Sequence, residues 1–207
     1  MVKNETSDSA AFLAPGLVHQ FGNLLFTIQG HASVLDQTTL VRSRAAIQTA
    51  CDRGTASLRL FRHLLGEPGS SWVPLEAAAN LMIELLRVPV RETGHGMDAR
   101  AVGQEQVQVD LADFVPLLVT TVRALIAAVP SGVAGTIGIR VHAEGGRAQL
   151  TASFDGPVGN LPFPLGIEAA AETVRRLVGK GRHPATVHGH GNSLGFSLPI
   201  AAGVLEA

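Results

Sequence analysis

The sequence has very little of several features that would narrow its class. Its 207 residues include one cysteine, Cys51, and no tyrosine, and only 4% are aromatic. A single cysteine excludes an internal disulfide and is typical of a reducing compartment. Cys51 lies on an apolar stripe of a predicted helix, so we expect a core position rather than a reactive nucleophile.

Charge and long apolar segments are also scarce. Charged residues make up 16% of the chain and the formal net charge is -1, so no basic patch predicts a nucleic-acid partner. Residues 1–9 lack the apolar core of a signal peptide. The most apolar run, residues 114–129, contains Pro116 and Arg123 and is short for a bilayer span. We therefore expect a cytoplasmic protein without a membrane segment.

Hydrophobic residues are plentiful, at 46% of the chain, which is enough to bury a substantial core. The length is compatible with two small domains. Residues 67–71, Glu-Pro-Gly-Ser-Ser, have the composition of a linker. We predict a first domain over residues 1–67 and a second over residues 72–207.

The first domain is predicted to be a helical hairpin. One helix should run from about residue 10, capped by Asp8 or Ser9, to about residue 36, and a second from about 41 to 65. Apolar residues recur at helical spacing in both: Leu17, Phe21, Leu24, Ile28 and Leu35 in the first, and Ile47, Cys51, Gly54, Leu58, Phe61 and Leu65 in the second. A lone hairpin leaves much of these stripes wet. We therefore expect two hairpins to pair as a four-helix bundle in a homodimer.

His19 lies away from the apolar stripe of the first helix. At about 100° per residue it shares a different stripe with Asn23, Thr27 and Gly30. That stripe has little apolar content and is predicted to face solvent, so His19 is not expected to fill the core.

The segment from His19 to Leu25 resembles the phosphoacceptor helix of bacterial histidine kinases. In that family an acidic residue follows the histidine and helps to deprotonate it, whereas a polar residue four positions on helps to place water or an acyl phosphate. This chain has Gln20 at the first of these positions and Asn23 at the second. The resemblance implies that His19 accepts a phosphoryl group, that Asn23 keeps the polar role, and that the acid role is lost at Gln20.

Basic residues on the second helix have two interpretations. Arg53, Arg59, Arg62 and His63 form either an ordinary solvated face or a rim beside the phosphoacceptor. In the second case Arg59, Arg62 and His63 would attract the acidic metal pocket of a receiver domain and speed encounter.

Helical and strand patterns alternate after the linker. We predict helices over residues 75–86, 111–128 and 166–178, strand signals between 97 and 109, and strands over 135–141, 147–154, 185–188 and 195–199. Helices that alternate with a mixed sheet indicate an α/β sandwich.

This order resembles the ATP-binding domain of histidine kinases, the GHKL or Bergerat fold that gyrase also has. Asp110 matches a common aspartate at the start of the helix over 111–128. The family holds Mg²⁺ through asparagines on that helix, but Thr120 and Ala124 occupy those positions. A methyl group cannot bind a metal, so the resemblance implies kinase activity lower by orders of magnitude.

The glycine boxes of the family are also altered. Asp155, which would contact adenine, and Gly159 remain, but Pro157 replaces the middle glycine. The lid over the phosphates is reduced to residues 160–164, and Gly166 remains from the second box. We expect Asp155, Gly159 and Gly166 to be a vestigial nucleotide site, with ATP not bound and no cofactor of the chain's own.

Histidines elsewhere in the chain suggest no metal site. We predict that His183, His188 and His190 belong to a glycine-rich turn rather than a metal site, because no carboxylate or cysteine accompanies them. His31 is expected to be hydrogen-bonded near the bundle seam.

Together these features favour a histidine phosphotransferase of a two-component phosphorelay, acting through His19 between receiver-domain aspartates. The architecture resembles the dimeric histidine phosphotransferases of bacterial relays, in which a helical hairpin is joined to a degenerate ATPase-like domain. The receiver would supply Mg²⁺. Two alternatives remain open: a divergent histidine kinase or response-regulator phosphatase with weak nucleotide binding, and a noncatalytic dimeric adaptor in which His19 is incidental.

Overall fold

The computed structural model describes residues 2–102, 107–156, 163–179, 181 and 184–202, with side chains for residues 7–102, 107–156, 166–179, 181 and 184–201. These residues form an α+β fold of five helices and a mixed sheet. The helices are α1 (Val2–Ser33), α2 (Leu40–Leu64), α3 (Leu75–Glu92), α4 (Leu111–Ala128) and α5 (Phe163–Val178). The strands are β1 (Trp72–Pro74), β2 (Gly96–Val102), β3 (Val107–Asp110), β4 (Thr136–Glu144), β5 (Arg147–Asp155), β6 (Thr186–His190), β7 (Ser193–Pro199) and β8 (Ala201–Ala202).

The main sheet has five strands in the order β2-β4-β5-β7-β6. Strand β2 is parallel to β4, and the other neighbours are antiparallel. Side chains alternate between two faces, as a half-buried sheet requires. In β4, Ile137 and Ile139 are buried under the helices whereas Arg140 is exposed. Helices α3, α4 and α5 cover the apolar face, which confirms the predicted layering of helices on a mixed sheet.

A second, three-stranded sheet, β1-β3-β8, was not predicted. Strands β1 and β8 have three and two residues, too short for an alternating pattern to be recognised in sequence. Asp110 at the end of β3 links this sheet to α4. Its carboxylate accepts hydrogen bonds from Ala112 N at 3.1 Å, Ser71 N at 3.0 Å and the Ser70 hydroxyl at 2.7 Å. The carboxylate therefore caps α4 and also fixes the linker.

Helix α1 begins earlier than the sequence predicts. Asp8 and Ser9 lie inside it and do not cap it, so the predicted cap is wrong. The reason is a tertiary contact with α4. Arg123 Nη1 donates a hydrogen bond to the buried Ser9 hydroxyl at 2.9 Å, and Arg123 Nη2 lies 3.9 Å from Asp8 Oδ2. Packing against α4 stabilises turns that local sequence signals do not mark.

The base of the hairpin shares its core with the rest of the fold. Leu13 of α1 and Leu60 and Leu64 of α2 are almost fully buried and belong to the apolar cluster that contains α3 and α4. At Gly16 the backbone of α1 lies against the carbonyl oxygen of Leu85 in α3. The approach is so close that a Cβ built on Gly16 would overlap that oxygen. Only glycine permits this approach.

The buried face of α2 is rotated from the predicted stripe. Ala50, Gly54 and Ser57 are buried, and Gly54 lies under the side chains of Phe21 and Leu24 of α1. Small residues let the two helices approach closely. Cys51 is exposed rather than in the core, and Leu58 and Leu65 are 48% and 54% exposed. The core position predicted for Cys51 is therefore wrong within one chain, whereas the exposure of Leu58 and Leu65 is what the sequence predicts for a hairpin without its partner.

The hairpin turn is fixed by Asp36. Its Oδ1 accepts hydrogen bonds from the Thr38 hydroxyl and from the backbone N–H groups of Thr38 and Thr39, at 2.7 to 2.8 Å. These bonds, above all that from the Thr38 hydroxyl, lower the pKa of Asp36 to about 2. The polar break predicted at residues 37–39 is confirmed.

We predict that the turn loses stability in acid. Because the folded-state pKa lies below the ordinary value of 3.8, the contribution is complete above pH 4 and is lost as the pH falls towards 2. Carboxyl NMR titration should give Asp36 a pKa of about 2. In Asp36→Asn, the unfolding free energy should no longer show the decrease that protonation of Asp36 causes as the pH falls from 4 towards 2. A pKa of Asp36 near 3.8 would contradict the prediction.

We predict that Gly16→Ala destabilises the protein. The added methyl group overlaps backbone that cannot move without separating α1 from α3, so we expect a loss of about 1–3 kcal/mol in urea unfolding. Gly30→Ala is the matched control, because a Cβ at Gly30 meets nothing within 4 Å. That variant should gain about 0.5–1 kcal/mol from helix propensity. Equal effects of the two variants would contradict the predicted contact.

Candidate functional site

His19 is exposed on α1, on the stripe that the sequence predicts to face solvent. Asn23 and Thr27 follow on the same stripe and are also exposed. His19 lies three residues after Gly16, about 4.5 Å along the helix axis. The contact of Gly16 with α3 therefore holds the helix segment that presents the imidazole.

Asn23 is hydrogen-bonded to His19, with Nδ2 at 3.2 Å from the imidazole Nε2. An amide nitrogen can only donate, so in the tautomer that is protonated on Nδ1 the imidazole Nε2 accepts this hydrogen bond through its single lone pair. That lone pair becomes available for nucleophilic attack when the exposed Asn23 amide rotates away.

Gln20 is not part of this hydrogen-bonded pair. Its Oε1 is buried and has no hydrogen-bond partner, whereas the His19 side chain is exposed. Of the predicted residues on α1, the structure therefore brings His19 and Asn23 together and directs the Gln20 oxygen elsewhere. Gln20 remains a predicted site residue, without the acid role that the family has at this position.

The basic face of α2 is smaller than predicted. His63 is 7% exposed, so its placement on an exposed rim is wrong. It lies in the last turn of α2, which packs against α4. Arg62 is ion-paired with Glu67, and Arg53 with Glu84 at 2.7 Å. Arg59 is exposed and is the remaining member of the predicted receiver-binding set.

A groove of about 990 Å³ contains one residue of the predicted vestigial nucleotide site, Gly166. Thr120 and Ala124 of α4 line it, as does Gly166 of α5. Asp155 is exposed at the end of β5 and is not among the lining residues. The predicted Pro157 and Gly159 and the first part of the shortened lid lie outside the described residues.

No group of three or more His, Cys, Asp or Glu side chains in the described part of the chain could hold a metal ion. His188 and His190 are exposed on β6, which confirms the strand predicted up to His188 and extends it through His190, so the predicted turn begins later. The turn follows at Gly191, whose φ of 58° suits glycine. His183 lies outside the described residues. His31 is hydrogen-bonded as predicted, with Nδ1 at 3.4 Å from the Ser43 hydroxyl.

Two helical segments, Ser7–Ser33 and Leu111–Ala128, are long and apolar enough to cross a membrane by length and composition. In α4, 56% of the apolar window is buried inside the protein, as expected for a core helix, whereas in α1 the share is 11%. The two segments are weak indications of a membrane span, and α1 is the one whose apolar surface is uncovered in a single chain.

Comparison with known proteins gives structural similarity alone. No protein-family model matches the chain, and no curated protein matches it in sequence. It is similar to a bacterial phosphotransferase structure, with 16% identity over 92% of this chain and 95% of that one and a TM-score of 0.39. It is also similar to the catalytic domain of the histidine kinase ThkA, with 13% identity over 64% and 97% of the chains and a TM-score of 0.47.

The Acinetobacter baumannii histidine kinase AdeS gives 13% identity over 88% of this chain and 95% of that one, with a TM-score of 0.42. At identities of 13% to 16% and TM-scores of 0.39 to 0.47, none of the activities, partners or cofactors of these proteins transfers to this chain. The site must be judged from its own residues.

Sequence reasoning missed the role of Arg123, which joins α4 to α1, and assigned His63 to an exposed rim although it is buried at the groove wall. Neither contact is marked by local sequence, because both depend on how the hairpin packs onto α4. The spacing of Thr120 and Ala124, four residues apart on one face of α4, was the available signal for the groove itself.

Proposed function

We propose that this chain is a histidine phosphotransferase of a two-component phosphorelay, passing a phosphoryl group between receiver-domain aspartates through His19. The observation that carries the proposal is the exposed imidazole of His19, whose Nε2 lies 3.2 Å from Asn23 Nδ2. An exposed imidazole with one uncharged, exposed partner is suited to attack a phosphoryl group presented by a second protein once that partner releases it.

In the forward step the Asn23 amide releases His19 Nε2, whose lone pair then forms a bond to phosphorus. The bond between phosphorus and the aspartyl oxygen breaks, and the carboxylate of the first receiver leaves with the electron pair. The ring keeps its Nδ1 proton and becomes a cationic phosphoimidazole. Transfer to a carboxylate of the second receiver reverses these events, so no general base is required. Positioning and charge neutralisation supply most of the catalysis in phosphoryl transfer, and the receiver's Mg²⁺ would provide the latter.

The groove residues support a phosphotransferase over an ATP-dependent kinase. Thr120 and Ala124 offer no carboxamide or carboxylate oxygen to Mg²⁺. Asp155 is exposed and lies outside the groove lining. A kinase must hold ATP on its own chain, whereas a phosphotransferase receives the phosphoryl group from its partner and needs only the nucleophile.

The hairpin's exposed apolar residues support a homodimer built as a four-helix bundle. Val18, Leu25 and Phe26 of α1 are 72%, 62% and 78% exposed, and Leu58 of α2 is 48% exposed. Large apolar side chains this exposed on neighbouring helices are unusual for a monomer. A second hairpin would cover them by packing helix against helix.

We predict that His19→Ala abolishes phosphoryl transfer, because it removes the nucleophile. Asn23→Ala should slow transfer about tenfold to a hundredfold, because the imidazole loses the partner that orients it. The measurement is transfer of labelled phosphate from a phosphorylated receiver to this chain. His188→Ala is the matched control, since His188 is an exposed histidine on β6 and should not change the rate. Equal transfer by the parent protein and His19→Ala would exclude the proposal.

The same assay separates the alternatives. Incorporation of label from ATP and Mg²⁺ in the absence of a receiver would favour a divergent kinase. A receiver that binds both the parent and His19→Ala, with no phosphate transferred by either, would favour a noncatalytic adaptor. Faster loss of phosphate from the receiver, with none recovered on His19, would favour a phosphatase.

We predict that Leu25→Glu combined with Leu58→Glu yields a monomer, because the two carboxylates would have to be desolvated in the hairpin interface. Analytical ultracentrifugation should give a dimer for the parent chain and a monomer for the double variant. Val102→Glu is the control, since Val102 is a comparably exposed apolar residue on β2, at 68%. It should remain dimeric. A monomeric parent chain would contradict the prediction.

A further inference from the structure

Arg59 and His19 point away from each other within one chain. Gly54 of α2 lies under Phe21 and Leu24 of α1 and marks the side of α2 that faces α1. Arg59 follows Gly54 by five residues, which turns it about 140° away from α1. By the same count His19 lies about 160° from Phe21 and about 140° from Leu24, so it points away from α2. The two side chains therefore do not meet within one chain.

Arg59 and His19 nevertheless lie at nearly the same height along the hairpin. Two contacts fix the antiparallel alignment of α1 and α2: the contact of Gly54 with α1, and the hydrogen bond between His31 and Ser43 at 3.4 Å. Counting from either contact places Arg59 opposite the turn of α1 that ends at His19, within about 6 Å along the helix axis. Only their directions around the helices separate the two residues.

The exposed apolar residues of the hairpin lie on the face opposite the second domain. Val18 and Leu25 of α1 lie on the far side from Gly16, which contacts α3. Leu58 of α2 lies about 160° around the helix from Leu60, which is buried in the shared core. A second hairpin on this face, related by a two-fold axis parallel to the helices, places its α2 against α1. Val18 then meets the second copy's Leu58, because both residues lie at about the same height.

This pairing brings Arg59 of the second copy to His19. Arg59 points away from its own α1, and His19 points away from its own α2. In the paired hairpins both directions lead to the outer flank of one seam, between α1 of one copy and α2 of the other. Packed helices lie about 8–10 Å apart, and the long arginine side chain crosses much of that distance.

Arg59 is also free to take a new partner. It is exposed, whereas Arg53 and Arg62 of the same helix are ion-paired with Glu84 and Glu67. No carboxylate in the described part of the chain is paired with Arg59. Its guanidinium can therefore bind an anion beside His19 without breaking an existing ion pair.

We propose that Arg59 of the second copy is the counter-ion of the phosphoryl group on His19. This role rests on the proposed function and on the proposed homodimer. A phosphoryl group carries nearly two negative charges near pH 7, and the first receiver takes its Mg²⁺ with it when it leaves. Asn23, the hydrogen-bond partner of His19 in its own chain, is uncharged. The guanidinium, which binds phosphate oxygens through paired N–H donors, neutralises the group until the second receiver arrives.

The phosphoryl pKa, followed by ³¹P NMR on the full chain after phosphorylation by a receiver and removal of that receiver, tests this role. A neighbouring guanidinium favours the dianion, so the phosphoryl pKa should be lower in the parent than in Arg59→Ala. The equilibrium constant for phosphate on His19 against the receiver should fall about three- to tenfold in Arg59→Ala. Arg59→Lys keeps the charge and should lie between the two. Arg44→Ala should match the parent, because the exposed Arg44 lies about 22 Å from Arg59 along α2.

Mixed dimers, selected with two affinity tags, show which copy supplies Arg59. In the first, a His19→Ala chain is paired with an Arg59→Ala chain, so the one remaining histidine faces an intact Arg59 in the other copy. Its phosphoryl pKa should match that of the parent. In the second, a chain with both substitutions is paired with a parent chain, so the one remaining histidine has Arg59 only in its own chain. Its phosphoryl pKa should match that of Arg59→Ala.

Several results would overturn this role and leave the proposed function intact. They are the same phosphoryl pKa in the parent and Arg59→Ala, equal values in the two mixed dimers, the reverse order of those values, and a phosphorylated parent chain that is monomeric. A parent chain that takes no phosphate from a phosphorylated receiver would overturn the proposed function and this role together.

Discussion

The contact between the backbones of α1 and α3 at Gly16 is the constraint on which the rest of the structure depends. Because no Cβ intervenes, α1 lies against the carbonyl of Leu85 and cannot be displaced without opening the shared core. The same helix carries His19 three residues further on. The imidazole is exposed because α1 buries the face that carries Gly16 against α3 and leaves the polar stripe that carries His19 in solvent. A histidine on a flexible loop would pay a larger entropic cost when it meets a partner.

A second link joins α1 to the fold through α4. Arg123 reaches the buried Ser9 hydroxyl, and its guanidinium lies 6.0 Å from the centre of the Phe12 ring. Helix α4 thus anchors the start of the hairpin on the face that also carries Thr120 and Ala124. Helix α4 presents alanine and threonine to the groove, and its arginine contacts a neighbouring helix. Its surface is therefore suited to packing and to apolar contact. This division of roles on α4 supports the proposed function, in which His19 would receive its phosphoryl group from outside the chain.

The sequence predicts those parts of the structure that depend on interactions between residues close together along the chain. Helix α4 was placed at its observed bounds, because Asp110 supplies a cap and the apolar pattern is continuous up to Pro130. The solvent-facing stripe of His19 follows from helical periodicity alone. Strands β1 and β8 were missed because they are short, and the other main failures involve tertiary contacts. The early start of α1 depends on Arg123, and the burial of His63 depends on α4. The face of α2 that meets α1 is made of Ala50, Gly54 and Ser57, which hydrophobicity ranks below the exposed Leu58.

The exposed apolar residues of the hairpin and the single hydrogen bond of His19 both determine how the imidazole is held and presented to solvent. An imidazole that makes a single hydrogen bond to an amide lacks the charged groups needed to stabilise a phosphoryl transition state. In the proposed transfer those charges would come from the receiver that carries the aspartyl phosphate, whose metal ion would neutralise its oxygens. The role of this chain would then be to hold His19 rigidly. A second hairpin that covers Val18, Leu25 and Leu58 would supply that rigidity, because paired hairpins resist bending and would hold two copies of His19 in fixed positions.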